Sequence, residues 1–266
     1  MKKLVSPGVA LVIERGAGVS AGYPDAAYVA AGATLGSKGE AMGECEIVLK
    51  VRAPALDEVA QLKAGCFLAC LLQPERNPGL LEALAARKVS ALALEKIPRI
   101  SRAQKMDVLS SMANLAGYRA VVEAAAAYGS PFGAQVTAAG TTPPAKVLVI
   151  GAGVAGLAAA AAAKALGAEV RAFDTRAAAR EQVESLGAKF LTLEVKESGE
   201  GGGGYAKVMS KEFIDAEMAL FRRQAAEVDV VVTTALVPGA RAPTLLPRDV
   251  VTAFKPGSVI VDASCC

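Results

Sequence analysis

Residues Lys146 to Ala158 read KVLVIGAGVAGLA, a strand-like apolar run that breaks into glycines and resumes as an alanine-rich helix. In GAGVAG, Gly151 permits the tight turn off the strand, Gly153 lets the backbone approach a pyrophosphate, and Gly156 lets helix and strand pack closely. The helix start then aims N–H groups and a positive dipole end at the phosphates. Asp174 closes the next strand, EVRAF, near the spacing expected of an acid that binds ribose. Such a carboxylate accepts from the ribose 2′- and 3′-hydroxyls and repels a 2′-phosphate, which favours NAD(H) over NADP(H). Val154, Thr175 and Arg176 flank these positions and complete the local candidate set. Arg176 itself reads as a solvated arginine at the start of the following helix.

A further parallel sheet is expected ahead of this motif. Residues 9 to 95 alternate short strand-like runs, VALVIE, EIVLKV, CFLACLL and SALALE, with alanine- or leucine-rich periodic segments. That alternation is the grammar of strand–helix–strand units. In NPGLLEALAARK, Asn77 is placed to cap a helix that carries Pro78 in its first turn. The polar loop KIPRISRAQ and a long helical pattern, MDVLSSMANLAGYRAVVEAAAAYG, come next, and GTTPPA opens the second series. After EVRAF that series continues through a helix AAAREQVESLG, a strand KFLTL, a helix KEFIDAEMALFRRQAAEV, a strand DVVVTTAL, a short helix near PRDVVTAF and a strand SVIVDAS. Residues 194 to 208, with the run Gly201 to Gly204, have the composition of a mobile loop. The expected class is α/β with two Rossmann-like parallel-sheet domains, residues 1–129 ending in a linker helix and residues 130–266. Another glycine cluster, Gly16, Gly18 and Gly22 in GAGVSAG, also follows a strand. Its helical pattern begins only near Asp25, so it reads as a loop without a phosphate-facing helix start.

Composition narrows the partners. A net charge of +3 over 266 residues, with basic residues scattered, lacks the electrostatic footprint of nucleic-acid binding. Cys45, Cys66, Cys70, Cys265 and Cys266 form no CxxC pair and there is no histidine, so no metal site is expected. The cysteines read as small buried or surface thiols of a reducing compartment. The opening MKKLVSPGVALVIERGAG mimics a signal peptide, but Pro7-Gly8 interrupts its apolar run and no small-residue cleavage site follows. Val147 to Ala163 is uncharged yet rich in glycine and alanine, and shorter than the roughly 20 residues of a membrane span.

A second polar constellation lies in PRISRAQKMDVLSS, just past the C-terminal end of a strand, where ligands bind in open parallel sheets. With a helix starting near Arg102, residues Gln104, Asp107 and Ser110 fall three apart along one face, and Arg99 sits in the loop before it. The plainer alternative is a polar helix start with ordinary capping. Together with TAAGTTPPAKVLVIGAGVAGLAA, RAFDTR, EQVESLGAKF, GGYAKVMSKEF, VVTTALVPG and KPGSVIVD, this stretch resembles the NAD(H)-binding domain of proton-translocating nicotinamide nucleotide transhydrogenases. The resemblance covers almost the whole chain.

It implies that Arg99, Gln104, Asp107 and Ser110 form a catalytic loop near the nicotinamide of bound NAD(H), with Gln104 close to the arriving partner cofactor. It also implies that Tyr205 rides on a loop closing over the nucleotide, and that Thr233 to Leu236 line the site through Thr234, Ala235 and Leu236. The implied activity is direct hydride transfer between NADH and NADP+, with NADP(H) on a partner domain or subunit. A membrane proton-channel component would complete the complex, at the cytoplasmic face of a bacterial inner membrane or the mitochondrial matrix side, and a homodimer is expected. Hydride transfer moves no proton at oxygen or nitrogen. It requires reacting carbons held about 3–3.5 Å apart and shielded from water, so a chain without histidine suffices. An alanine dehydrogenase, related in architecture, reduces an imine and uses a histidine for proton transfer. Lys50 in VLKVRAP matches that family's substrate lysine, but the histidine is missing. A module that binds NAD without turnover is a third reading. Relative to the transhydrogenase pattern the first strand is absent and ASCC replaces the segment after SVIVD. Truncation at both ends, exposed sheet edges and marginal stability are therefore expected.

Overall fold

The computed structural model describes residues 4–5, 8–195, 197, 199, 209–235 and 242–264. They divide into two units, Met1–Asp107 and Val108–Cys266, each built on parallel strands. The glycine run from Gly201 to Gly204 lies outside the described residues.

In the first unit, β1 (Val12–Glu14) pairs with β2 (Thr34–Gly36), and β3 (Ile47–Arg52), β4 (Phe67–Leu71) and β5 (Ser90–Ala93) form a second parallel sheet in that order. The connecting helices are α1 (Asp25–Ala30), α2 (Lys38–Gly43), α3 (Leu56–Gln61) and α4 (Leu80–Ala86). Strand alternation sends Val48, Leu68 and Cys70 to one face, where they pack with Met42, Val59, Leu62, Leu80 and Leu84 into a core. The other face carries Ile47, Leu49, Val51, Phe67 and Leu92, all exposed, an arrangement unusual for parallel sheets, which are generally covered on both sides. Ser37 starts α2 by accepting a hydrogen bond from the Glu40 N–H at 3.2 Å, while the Glu40 carboxylate accepts from the Ser37 N–H at 2.6 Å. This reciprocal cap satisfies two backbone donors that the helix start would otherwise leave open. The cap of α4 differs from expectation. Gly79, at φ +78°, holds that position, and the Asn77 amide instead donates to the carbonyls of Leu72 and Gln73 at 3.0 Å each. Asn77 thus ties down the end of β4. Helix α1 begins at Asp25 as expected, and its carboxylate accepts from the Gly16 N–H at 2.8 Å, closing the first glycine loop on itself.

The second unit opens with α5 (Val108–Ala127) and a small exposed hairpin, β6 (Gln135–Thr137) and β7 (Gly140–Thr142). Its sheet contains β8 (Lys146–Ile150), β9 (Glu169–Phe173), β10 (Lys189–Phe190), β11 (Val230–Thr233) and β12 (Val259–Asp262), ordered β10-β9-β8-β11-β12 and wholly parallel. The helices are α6 (Val154–Ala165), α7 (Ala179–Ser185), α8 (Lys211–Ala225) and α9 (Arg248–Val251). Both faces are covered. Val147 and Val149 turn toward a layer containing Ala120, Val121, Ala124, Ala159, Ala160 and Ala163, from α5 and α6. Leu148 and Ile150 turn the other way, toward Phe213, Phe221 and Val250. The long helix placed at the end of the first domain by the sequence reading lies in the second unit, because its small residues pack on α6. The strand drawn as KFLTL shrinks to Lys189–Phe190. Among the described residues no helix is long and apolar enough to cross a membrane, and no three Cys, Asp or Glu side chains group as a metal site would require.

Candidate cofactor site

The strand order of the second unit reverses between β8 and β11, and ligands bind outside the carboxyl ends of strands at such a switch point. GAGVAG occupies it. Gly151 leaves β8 with φ +95°, and a β-carbon there would stand 2.6 Å from the Thr234 hydroxyl. A β-carbon on Gly156 would stand 1.7 Å from the Gly151 carbonyl oxygen, so the helix reaches the strand only because both residues are glycine. At Gly153, by contrast, an added β-carbon meets nothing within 4 Å. That open space lies at the N-cap of α6, where no side chain caps the helix and the first turn holds no acid. The N–H groups at the start of α6 and its dipole are thus available to an anion. Val154 opens this helix, half-buried.

Thr234, just past β11, bridges the switch point: its hydroxyl lies 3.2 Å from the Ile150 carbonyl and 3.0 Å from that of Gly151. Thr233 is buried and donates to Asp262 at 2.6 Å. Ala235 follows Thr234 on the chain, half-buried. Leu236 and Tyr205 lie outside the described residues.

Asp174 emerges from β9 with its side chain 7% exposed. Its Oδ2 accepts from the Ala152 N–H at 2.7 Å, which fixes the acid to the glycine turn itself. Burial works against the charged form, but hydrogen bonds from the Arg176 guanidinium, the Arg176 N–H and the Ala152 N–H hold the carboxyl below its ordinary range. Arg176 is therefore not the solvated residue expected from sequence. Its Nε and Nη2 each lie 2.9 Å from Asp174, a two-pronged ion pair. Thr175, between the two, accepts at its carbonyl from the Gly199 N–H at 3.0 Å. Glu197 in turn accepts from the Ser210 hydroxyl at 2.6 Å and the Ser210 N–H at 3.3 Å, and Ser210 caps α8 through the Phe213 N–H at 3.2 Å. Glu197 and Gly199 belong to none of the motifs legible in the sequence. Only the S-K-E-F pattern at the start of α8 carries a capping signal.

The second constellation is divided. Arg99 and Asp107 belong to the first unit, where Arg99 Nε lies 3.7 Å from Asp107 Oδ2. The expected continuous helix from Arg102 does not form: Ser101–Met106 is a tight 3-10 turn, Asp107 departs from helical geometry at ψ +84°, and α5 begins at Val108. The three-residue spacing therefore does not align Gln104, Asp107 and Ser110 on one helix face. Gln104 is exposed, with its carbonyl accepting from the Asp107 N–H at 3.2 Å, and Ser110 lies in α5 of the second unit. Lys50, the position matching a substrate lysine of alanine dehydrogenases, is paired with Glu58 at 3.2 Å. Cys66 and Cys70 are buried and Cys45 is half-buried, all as free thiols. Cys265 and Cys266 lie outside the described residues. Burial pushes the Cys70 thiol up to about 11, far from reactivity at neutral pH.

A five-stranded parallel sheet with a glycine turn at its switch point and an acid at the end of the adjacent strand defines a Rossmann-type nucleotide-binding α/β protein. The chain belongs to the alanine dehydrogenase/PNT family: the family's N-terminal domain matches residues 1–116 and its C-terminal domain residues 120–265. It is 51% identical over 262 residues to NAD(P) transhydrogenase subunit alpha of Haemophilus influenzae, covering 98% of this chain and 51% of that protein. It is 49% identical over 270 residues to the first-part chain of NAD(P) transhydrogenase subunit alpha from Rhodospirillum rubrum, covering 98% of this chain and 70% of the relative. The crystal structure of transhydrogenase from Sinorhizobium meliloti superposes with a TM-score of 0.86 at 43% identity, covering 97% of this chain and 70% of that one. The chain thus spans between about half and 70% of the length of these relatives.

Proposed function

We propose that this chain is the NAD(H)-binding component of a proton-translocating transhydrogenase, exchanging hydride with NADP(H) held by a partner domain or subunit. The observation that carries the reading is the GAGVAG turn at the β8/β11 switch point, hydrogen-bonded through Ala152 to Asp174. The N–H groups at the start of α6 would hold the pyrophosphate, Gly153 would give it room, and Asp174 would accept from the adenosine ribose. Val154, Thr175, Arg176, Tyr205, Thr234, Ala235 and Leu236 would border the dinucleotide. Bound NADH supplies the hydride. Arg99, Gln104, Asp107 and Ser110 would orient its nicotinamide and keep water away, and no group is needed to move a proton. The complex would include a membrane proton-channel component and a second copy of this chain, on the cytoplasmic face of a bacterial inner membrane or the mitochondrial matrix side.

Alanine dehydrogenase activity is the poorer reading, since no histidine is present and Lys50 is engaged by Glu58. The test is a titration with NADH and NADPH followed by nucleotide fluorescence, which the absence of tryptophan makes clean. NADH should bind more tightly, and adding an NADP+-loaded partner should then oxidise it. Equal or tighter NADPH binding counts against Asp174, and binding without exchange supports a non-catalytic NAD module.

A further inference from the structure

An ionised carboxylate offers about four lone-pair positions. On Asp174, four donors already fill them: the Ala152 N–H at 2.7 Å and Arg176 Nη2 at 2.9 Å on Oδ2, the Arg176 N–H at 2.8 Å and Arg176 Nε at 2.9 Å on Oδ1. Two of these donors are backbone groups, fixed by the glycine turn and by the chain leaving β9. The other two belong to one guanidinium at the end of a flexible side chain, 21% exposed. A ribose diol donating to Asp174 needs two acceptor positions, and the guanidinium is the group that can vacate them without moving backbone.

We infer that Arg176 is an internal competitor for the ribose subsite: it occupies the acceptor positions on Asp174 that a dinucleotide's hydroxyls take, and it must swing away for the nucleotide to bind. This rests on the reading of the second unit as an NAD(H) site and goes beyond it, because it assigns Arg176 a role in both affinity and cofactor choice. A competing cation sets the affinity below what the bare acid would give, which favours exchange of reduced for oxidised nucleotide. Carried only two residues beyond Asp174, the displaced guanidinium would remain near a ribose held by that acid. There it would attract a 2′-phosphate, while Asp174 repels one. The acid excludes NADP(H) only while it is charged, and the arginine is the latent anchor beside it.

The experiment uses the full chain, with thermal melting to show that each variant folds, and measures Kd for NADH and NADPH. In Arg176→Met the backbone donors still orient Asp174 and the competitor is gone, so NADH should bind roughly fivefold more tightly, the scale of a partly exposed ion pair. Arg176→Lys, which keeps the charge and loses the fork, should fall between that variant and the wild type. Asp174→Asn should raise NADPH affinity, and the gain should vanish in Asp174→Asn/Arg176→Met. NADH affinity that is unchanged or weaker in Arg176→Met overturns the inference while leaving the NAD(H) reading intact, as does an NADPH gain that survives in the double variant. A wild-type chain that binds neither nucleotide overturns both.

Discussion

The carbonyl oxygen of Ala155, in α6, faces the Cα of Gly117, in α5, so closely that a β-carbon on Gly117 would stand 1.9 Å from it. This contact lets a helix far from the glycine motif in sequence brace the helix that starts at the open space beside Gly153. Gly117→Ala should therefore force the helices apart and cost about 1–3 kcal/mol of stability, read as a lower urea midpoint with an unchanged slope. An unchanged midpoint would mean that α5 does not brace α6.

Glu217 lies on the buried face of α8 with Phe213, Leu220 and Phe221. Burial pushes its carboxyl up to about 7. The folded state therefore holds a proton that the unfolded chain gives up near pH 4.5, and stability associated with the neutral acid is complete below about pH 4.5 and lost as pH rises through 7. Glu217→Gln should match the wild type near pH 4.5 and exceed it at about pH 8.5, by at most about 3 kcal/mol. Melting curves of the two proteins that stay parallel across this range would refute the assignment.

The opposite sign applies to Glu58. The Lys38 ammonium at 2.6 Å holds its carboxyl down at about 2, helped by the Ala55 N–H at 2.9 Å and Lys50 at 3.2 Å. The stabilisation is present above pH 4.5 and disappears as pH falls through 2. Glu58→Gln should lower the denaturation midpoint at about pH 7, and the difference from wild type should narrow at about pH 3.

Ser210 joins the cap of α8 to Glu197. Ser210→Ala should cost about 1 kcal/mol for the lost cap. Because Gly199 hydrogen-bonds to Thr175 beside Asp174, it should also weaken NADH binding, and Ser210→Thr should restore both. A Ser210→Ala variant that loses stability but keeps full NADH affinity would confine Ser210 to the cap.

Local chemistry settled much of this molecule in advance. KVLVI is a strand, Gly167 ends the following helix at φ +90°, and GAGVAG turns between them, because apolar runs and glycine conformations act over a few residues. The place of Asp174, just past the end of β9 and one crossover away, was legible for the same reason. Tertiary structure alone decided which groups those residues meet. Asn77 abandons its helix for the carbonyls of Leu72 and Gln73 at the end of β4, the run from Ser101 to Ser110 breaks at Asp107, and α5 takes its place against α6. Arg176 folds back on Asp174. Spacing along a chain fixes which side chains can share an element, but hydrogen bonds and ion pairs form between whatever the packing brings within about 3 Å.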